Sequence, residues 1–303
     1  MRNQKLINEI NKLKKEKNAV ILVHNYQRPE IYEVADYIGD SYGLSVEASK
    51  TNAKMIIFCG VHFMAETAYI LNPTKKVILP AIDAGCPMAD MVTAEQLIEF
   101  KKKHPDAAVV SYMNTTAETK AESDVICTSS NAVKIVKSLP QKKVIFVPDK
   151  NLGSYVAQHT DKEIIPWQGF CYVHNKFSHE ELAKAKKARK NAKVIAHPEC
   201  PAEFRALADH VCSTSGMVDY AKKSKAKEFI IGTEVGMIEM LKRECPGKTF
   251  YTAPPGSTCV NMKKNRLELV LKALKNEWPV ITVPEEIRVK AKKALDKMLE
   301  VGK

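Results

Sequence analysis

The sequence predicts an α/β protein of three pseudo-symmetric, three-layer αβα domains, each with a four-stranded parallel sheet, arranged around one central site. Three observations predict it. Short β-rich apolar runs alternate with helical patterns along the whole chain. The chain aligns on itself three times, so that Asp36, Asp124 and Asp209 fall at one position. One cysteine, Cys86, Cys171 or Cys259, follows the last strand of each unit in a loop containing Gly, Pro or Ser. The expected domains are residues 1–105 with an N-terminal helix, 106–191, and 192–303 with a C-terminal helix.

The elements follow in order. Residues 1–17 alternate charged and apolar side chains at helical spacing. The first strands of the units end at His24, Tyr112 and His197. The second strands run through Asp36-Tyr37-Ile38, Asp124-Val125-Ile126 and Asp209-His210-Val211. Third strands are expected at 55–58, 144–147 and 229–231, and fourth strands at 76–80, 164–166 and 250–252. Helices are expected after the cysteine loops at 93–103, 178–190 and 262–276. Val283-Pro284-Glu285-Glu286 starts a last helix, with Pro near its first turn, that is expected to pack back on another unit.

Composition narrows the function. The chain has 303 residues, 45% hydrophobic and 27% charged, and no apolar run of membrane-spanning length, which predicts a soluble cytoplasmic protein with no membrane partner. The net charge of +12 is spread along the chain. Its lysine runs, 184–190, 222–227 and 290–293, read as solvated helix faces. They lack interleaved aromatics, so nucleic-acid binding is not expected.

Eight cysteines are too few for a disulfide scaffold, and no C-x-x-C pair offers a local metal site. Cys59, Cys127, Cys212, Cys200 and Cys245 read as small buried hydrophobes or helix-end residues. Cys86, Cys171 and Cys259 are repeat-equivalent, and three thiolates without a fourth protein ligand would leave a metal position open for substrate. Parallel sheets place ligands at the carboxyl ends of their strands. There lie His24, Tyr26, Tyr112, Asn114, His197 and Glu199, the last a candidate acid or base. Ser41, Ser129, Ser213 and Thr214 follow second strands and precede helical patterns, which suits anion binding. His174 lies three residues past Cys171, whereas His62, His104, His159 and His179 read as surface or loop residues. A zinc hydrolase or lyase using the same thiolates is the alternative enzyme class.

Several stretches together resemble the quinolinate synthase family: His24-Asn25-Tyr26-Gln27, Gly39-Asp40-Ser41, Cys59-Gly60-Val61-His62-Phe63-Met64-Ala65-Glu66-Thr67-Ala68, Gly85-Cys86-Pro87-Met88-Ala89-Asp90-Met91, Tyr112-Met113-Asn114, Pro148-Asp149-Lys150-Asn151-Leu152-Gly153, Trp167-Gln168-Gly169-Phe170-Cys171, His197-Pro198-Glu199-Cys200 and Gly232-Thr233-Glu234. The resemblance implies a [4Fe–4S] cluster held by Cys86, Cys171 and Cys259, one from each domain, with one open iron acting as Lewis acid in dehydration. It implies a transferase of de novo NAD biosynthesis that condenses iminoaspartate with dihydroxyacetone phosphate to give quinolinate, phosphate and water. By the same motifs His24, Ser41, Tyr112, Asn114, Ser129, His197, Glu199, Ser213 and Thr214 bind substrate. Tyr26, Tyr112, Glu199 and His174 form the catalytic set. The pocket is expected to be cationic, matching two carboxylates and a phosphate. The implied partners are the two substrates and, as a source of iminoaspartate, transient contact with an L-aspartate oxidase or dehydrogenase. Where some members carry C-x-x-C-x-x-C around the last ligand, Cys259-Val260-Asn261-Met262 has no second cysteine. Redox control by a disulfide there is therefore not expected.

Overall fold

The computed structural model describes residues 2–302. Met1 and Lys303, the outer ends of the expected first and third domains, lie outside the described residues. The first sheet holds β1 (Ala19–His24), β2 (Tyr37–Gly39), β3 (Met55–Cys59) and β4 (Lys76–Ile78). The second holds β5 (Ala107–Tyr112), β6 (Val125–Cys127), β7 (Lys143–Val147) and β8 (Glu163–Pro166). The third holds β9 (Lys193–Ala196), β10 (His210–Val211), β11 (Glu228–Gly232) and β12 (Thr249–Thr252). All strand pairs within the sheets are parallel. Each sheet has the same order, with the second strand at one edge, then the first, third and fourth: β2-β1-β3-β4, β6-β5-β7-β8 and β10-β9-β11-β12. Three αβα layers of one topology are thus present.

One side-chain device recurs in all three. Asp36, Asp124 and Asp209 each accept a hydrogen bond from the first-strand amide fifteen residues earlier, on Ile21 (2.8 Å), Val109 (2.7 Å) and Val194 (2.8 Å). Each carboxylate satisfies an amide left free where the second strand begins.

The helices are α1 (Arg2–Glu16), α2 (Pro29–Tyr32), α3 (Ser41–Lys50), α4 (His62–Leu71), α5 (Ala94–Lys102), α6 (Ala117–Ala121), α7 (Ala132–Ser138), α8 (Lys150–Ala157), α9 (His179–Ala188), α10 (Ala202–Arg205), α11 (Thr214–Lys223), α12 (Gly236–Glu244), α13 (Leu267–Asn276) and α14 (Glu285–Gly302). The helix after each cysteine loop covers the next sheet rather than its own. Leu97 of α5 packs with Val109, Ile145 and Val147. Leu182 of α9 packs with Val194 and Ile230. Val270 and Leu274 of α13 pack with Ile21, Val23 and Ile57 of the first sheet, together with Ile10 of α1. These crossovers close the three units into a ring. A larger apolar cluster drawn from all three fills its middle.

The last helix, α14, packs on α6, β6 and α7 of the second unit and on α4 of the first, burying Ala291, Ala294, Leu295 and Met298. The helix expected at 262–276 is broken. A single 3-10 turn spans Met262–Lys264, Asn265 and Arg266 are extended, and α13 begins at Leu267. The break lets the buried Asn265 donate its side-chain N–H to the Gly60 carbonyl at 2.8 Å, tying the third cysteine loop to the first unit. Among the described residues no helix is long and apolar enough to cross a membrane.

Candidate active site

The carboxyl ends of the first strands meet at the pseudo-threefold axis. There His24, Tyr26, Ser41, Cys86, Tyr112, Asn114, Ser129, Cys171, His174, His197, Glu199, Thr214 and Cys259 all line one cavity. Of the residues expected at the site, Ser213 alone lies elsewhere. It is the N-cap of α11, where its hydroxyl accepts from the Gly216 amide and donates to Asp40 Oδ2, each at 3.3 Å, and it lines an outer groove.

The three thiols are held alike. After each cysteine the chain makes a 3-10 turn, Ala89–Met91, His174–Lys176 or Met262–Lys264. The amide of the third residue on, Ala89, His174 or Met262, donates to the cysteine sulfur. Burial pushes the Cys86 thiol up to about 12, Cys171 well above its usual value and Cys259 upward. Thiols so desolvated stay protonated until a metal ion displaces the proton. Cys171, His174 and Glu199 also bring their ligand atoms within 4.8 Å of one another, a group able to hold a metal.

Two further carboxylates support the thiols, and neither had been singled out for a role in the sequence. Asp149 Oδ2 accepts the Cys171 amide and Glu234 Oε1 accepts the Cys259 amide, both at 3.1 Å. Both are fully buried, and burial is the main force raising the pKa of each. Glu234 also pairs with Lys263 at 3.1 Å. Each acid stands two residues beyond the third strand of its unit, and Val61 holds that place in the first. Repeat position was the signal that could have found them.

On the other wall, His24 Nδ1 accepts the Tyr26 amide at 3.2 Å, and His197 Nδ1 accepts the Glu199 amide at 3.3 Å. These bonds leave the proton of each neutral ring on Nε2. His197 Nε2 lies 3.2 Å from Ser129 Oγ. Burial lowers both histidines to about 3, with Lys263 adding to the effect on His24. The expected cationic pocket is therefore corrected. Among the described residues no Lys or Arg lines the cavity, and His24 and His197 are neutral at pH 7. The cavity wall presents imidazole N–H groups and hydroxyls, and the starts of α3 and α11, rather than fixed positive charges.

Glu199 is the hub. Tyr112 donates its hydroxyl to Oε1 at 2.5 Å, and His174 Nδ1 lies 2.6 Å from Oε2, close but not aligned as a hydrogen bond. Burial alone would raise the Glu199 pKa. The neighbouring His174, His197 and Tyr112 outweigh it and hold the carboxyl below its usual range. Burial and the Glu199 charge push the hydroxyls of Tyr26 and Tyr112 well above 10, so both remain protonated. Thr233, outside the cavity wall and buried, contacts both Tyr26 OH (2.6 Å) and His174 Nε2 (2.8 Å).

The histidines give a pH prediction. A histidine whose folded pKa is depressed refuses a proton that the unfolded chain binds below about 6.5. Its contribution to stability is complete above that value and is lost as pH falls from about 6.5 towards about 3. Two such groups together cost roughly 2–3 kcal/mol between pH 7.5 and pH 5.5, while the buried Asp149 carboxyl, raised to about 8, gains stability over the same range, so the histidine share is read as the difference between wild type and a His24→Asn/His197→Asn variant. Urea titrations of both proteins at the two pH values measure it. The same pH dependence in both proteins would contradict the neutral, buried state of His24 and His197.

These features define a class: an α/β protein of three like units, with acid–base groups and three thiols able to hold metal in one enclosed cavity. The quinolinate synthetase A protein family model matches residues 8–300. The chain is 57% identical over 298 residues to the quinolinate synthase of Caldicellulosiruptor bescii, covering 98% of each chain. It is 53% identical over 301 residues to that of Geotalea uraniireducens and 54% over 301 residues to quinolinate synthase 1 of Methanosarcina acetivorans, covering 99% of each chain in both cases. The chain belongs to the quinolinate synthetase A protein family.

Proposed function

We propose that this protein condenses iminoaspartate with dihydroxyacetone phosphate to give quinolinate, phosphate and water, a transferase step of de novo NAD biosynthesis. In this reading Cys86, Cys171 and Cys259 hold a [4Fe–4S] cluster. The observation that carries it is the meeting of three repeat-equivalent thiols with Glu199, His174 and two tyrosines in one cavity, within this family. The donor set fits such a cluster: three soft sulfur ligands from three separate loops, each sulfur receiving a backbone N–H, with no fourth cysteine lining the cavity among the described residues. When bound, the cluster supplies an open iron, a Lewis-acid site able to polarise a leaving oxygen.

The protein's own groups do the rest. His24 and His197 present Nε2–H, and Ser41, Ser129 and Thr214 present hydroxyls, to carboxylate and phosphate oxygens. Buried Asn114 Oδ1 has no hydrogen-bond partner and is left to accept from substrate. An arriving anion raises the pKa of a neutral imidazole beside it, so protonation of His24 or His197 can accompany binding. Holding the two reactants in register supplies much of the acceleration. Tyr112 keeps its proton and donates it to the Glu199 carboxylate across 2.5 Å, and Tyr26 holds a proton at its hydroxyl, so Glu199 is the group free to take a proton from substrate. Enclosure keeps bulk water from the imine. Release of free iminoaspartate into water is limited if an L-aspartate oxidase or dehydrogenase works beside this protein in the cytoplasm.

Anaerobic purification tests the reading. Expected are about four irons and four sulfides per chain, a broad visible absorption, and quinolinate formed from the two substrates. Bound zinc without visible absorption would favour a zinc hydrolase or lyase instead and overturn it.

A further inference from the structure

We propose that Tyr172 is a positioning residue that ties the second and third cysteine loops together and donates a hydrogen bond to the Cys259 sulfur, setting that ligand apart from the other two and raising the reduction potential of the cluster they hold. The inference rests on the reading that Cys86, Cys171 and Cys259 are the cluster ligands. Tyr172 directly follows Cys171 and lines the cavity together with Cys171 and Cys259. Its hydroxyl accepts the amide of Val260, the residue directly after Cys259, at 3.1 Å. The chain neighbours of two ligands, 88 residues apart, are thus joined by one bond. Lys176, at the end of the 3-10 turn in the same loop, extends its ammonium over the Tyr172 ring, 5.7 Å from the ring centre.

The polarity follows from what each group can give. The Val260 amide can only donate, so the phenol oxygen receives it. A phenol keeps its own proton at neutral pH and is free to give it elsewhere. The acceptor beside it is the Cys259 sulfur, to which the hydroxyl is hydrogen-bonded. A metal-bound thiolate carries no proton, so there the sulfur can only accept. The repeat holds no second such device. The place of Tyr172 is taken by Pro87 in the first unit and by Val260 in the third, and neither has a side-chain donor. Cys86 and Cys171 are met by backbone amides, from Ala89 and Met88 and from His174. Cys259 is met by the amides of Met262 and Asn261 and by the phenol as well. An electron added to an iron–sulfur centre spreads charge onto its sulfurs, and a donor to a sulfur stabilises that charge, which makes the centre easier to reduce.

The test compares wild type with Tyr172→Phe and, as control, Tyr251→Phe, whose hydroxyl faces Glu228 and lines no part of the cavity. Phenylalanine at position 172 keeps the ring and its bulk and removes only the hydroxyl. On proteins loaded anaerobically, a redox titration followed by visible absorption should find the Tyr172→Phe equilibrium shifted roughly three- to tenfold against the reduced form, or about 30–60 mV more negative at about 59 mV per tenfold for one electron. Tyr251→Phe should match wild type. On apoprotein, the Val260 amide should exchange with solvent deuterium about tenfold faster or more in Tyr172→Phe than in wild type, since Val260 is exposed and its amide loses its acceptor. A wild-type or more positive midpoint in Tyr172→Phe, the same shift in Tyr251→Phe, or unchanged Val260 exchange would each overturn the proposal. If wild type itself binds no iron, the reading of the centre fails, and the Val260 exchange still decides whether the hydroxyl joins the two loops.

Discussion

A Glu199→Gln protein is expected to bind both substrates and to lose turnover by about 10²–10⁴-fold, the usual worth of a positioned acid or base. The carboxylate is where three arms of the site converge: the Tyr112 hydroxyl at 2.5 Å, His174 Nδ1 at 2.6 Å and His197 Nδ1 at 3.8 Å. Glutamine keeps the shape and can still accept from Tyr112 through its carbonyl. It cannot take up a proton, and it removes the negative charge that faces His174 Nδ1 at 2.6 Å. The cavity-lining groups proposed to hold substrate, Ser41, Ser129, Asn114 and Thr214, are untouched, so affinity should change far less than rate. Equilibrium binding of dihydroxyacetone phosphate alongside steady-state kcat separates the two. Turnover equal to wild type would remove Glu199 from the catalytic set.

Much of this arrangement was legible because the repeat carries it. Asp36, Asp124 and Asp209, the residues on which the chain aligns with itself, make one and the same bond to the first strand in each unit. His24 and His197, matched by repeat position, make one and the same bond to the amide two residues on. Strand ends are short-range features, and the residues just past them were found. What was missed depends on contacts between units, which spacing does not encode. The pocket was expected to be cationic because anionic substrates call for charge. Burial instead neutralises the histidines, and the nearby Lys263 is spent on Glu234. Ser213 was grouped with Thr214 by adjacency, yet successive residues at a helix start point in different directions, and Ser213 is turned towards Asp40. The break at Asn265 follows from a carbonyl on Gly60, 205 residues away. Thr233 stood in a quoted motif without a role, because its partners Tyr26 and His174 come from two other parts of the chain.

Removal of any one of Cys86, Cys171 or Cys259 by alanine is expected to abolish stable cluster assembly and to lower quinolinate formation by about 10³-fold or more, the rate equivalent of losing a Lewis acid worth several kcal/mol. The loops that carry the three thiols are tied into the fold independently of metal. The amides of Cys171 and Cys259 are held by Asp149 and Glu234, and the 3-10 turn after each cysteine is set by the backbone. The variants should therefore fold, and loss of iron would report on the missing ligand rather than on a collapsed site. The three are not equivalent in detail. Val61 stands in the first unit where Asp149 and Glu234 stand in the others, so the Cys86 loop lacks the buried carboxylate that fixes its counterparts. With one anchor fewer, Cys86 is the ligand whose loop should exchange amide protons fastest in the apoprotein. Cys245→Ala is the control. That cysteine caps α12 and lines no part of the cavity, so its variant should retain full iron and absorption. Iron and sulfide per chain, the visible spectrum and kcat decide the matter together. Cys86→Ala protein with full iron content and wild-type turnover would take Cys86 out of the ligand set and leave the threefold reading of the centre without support.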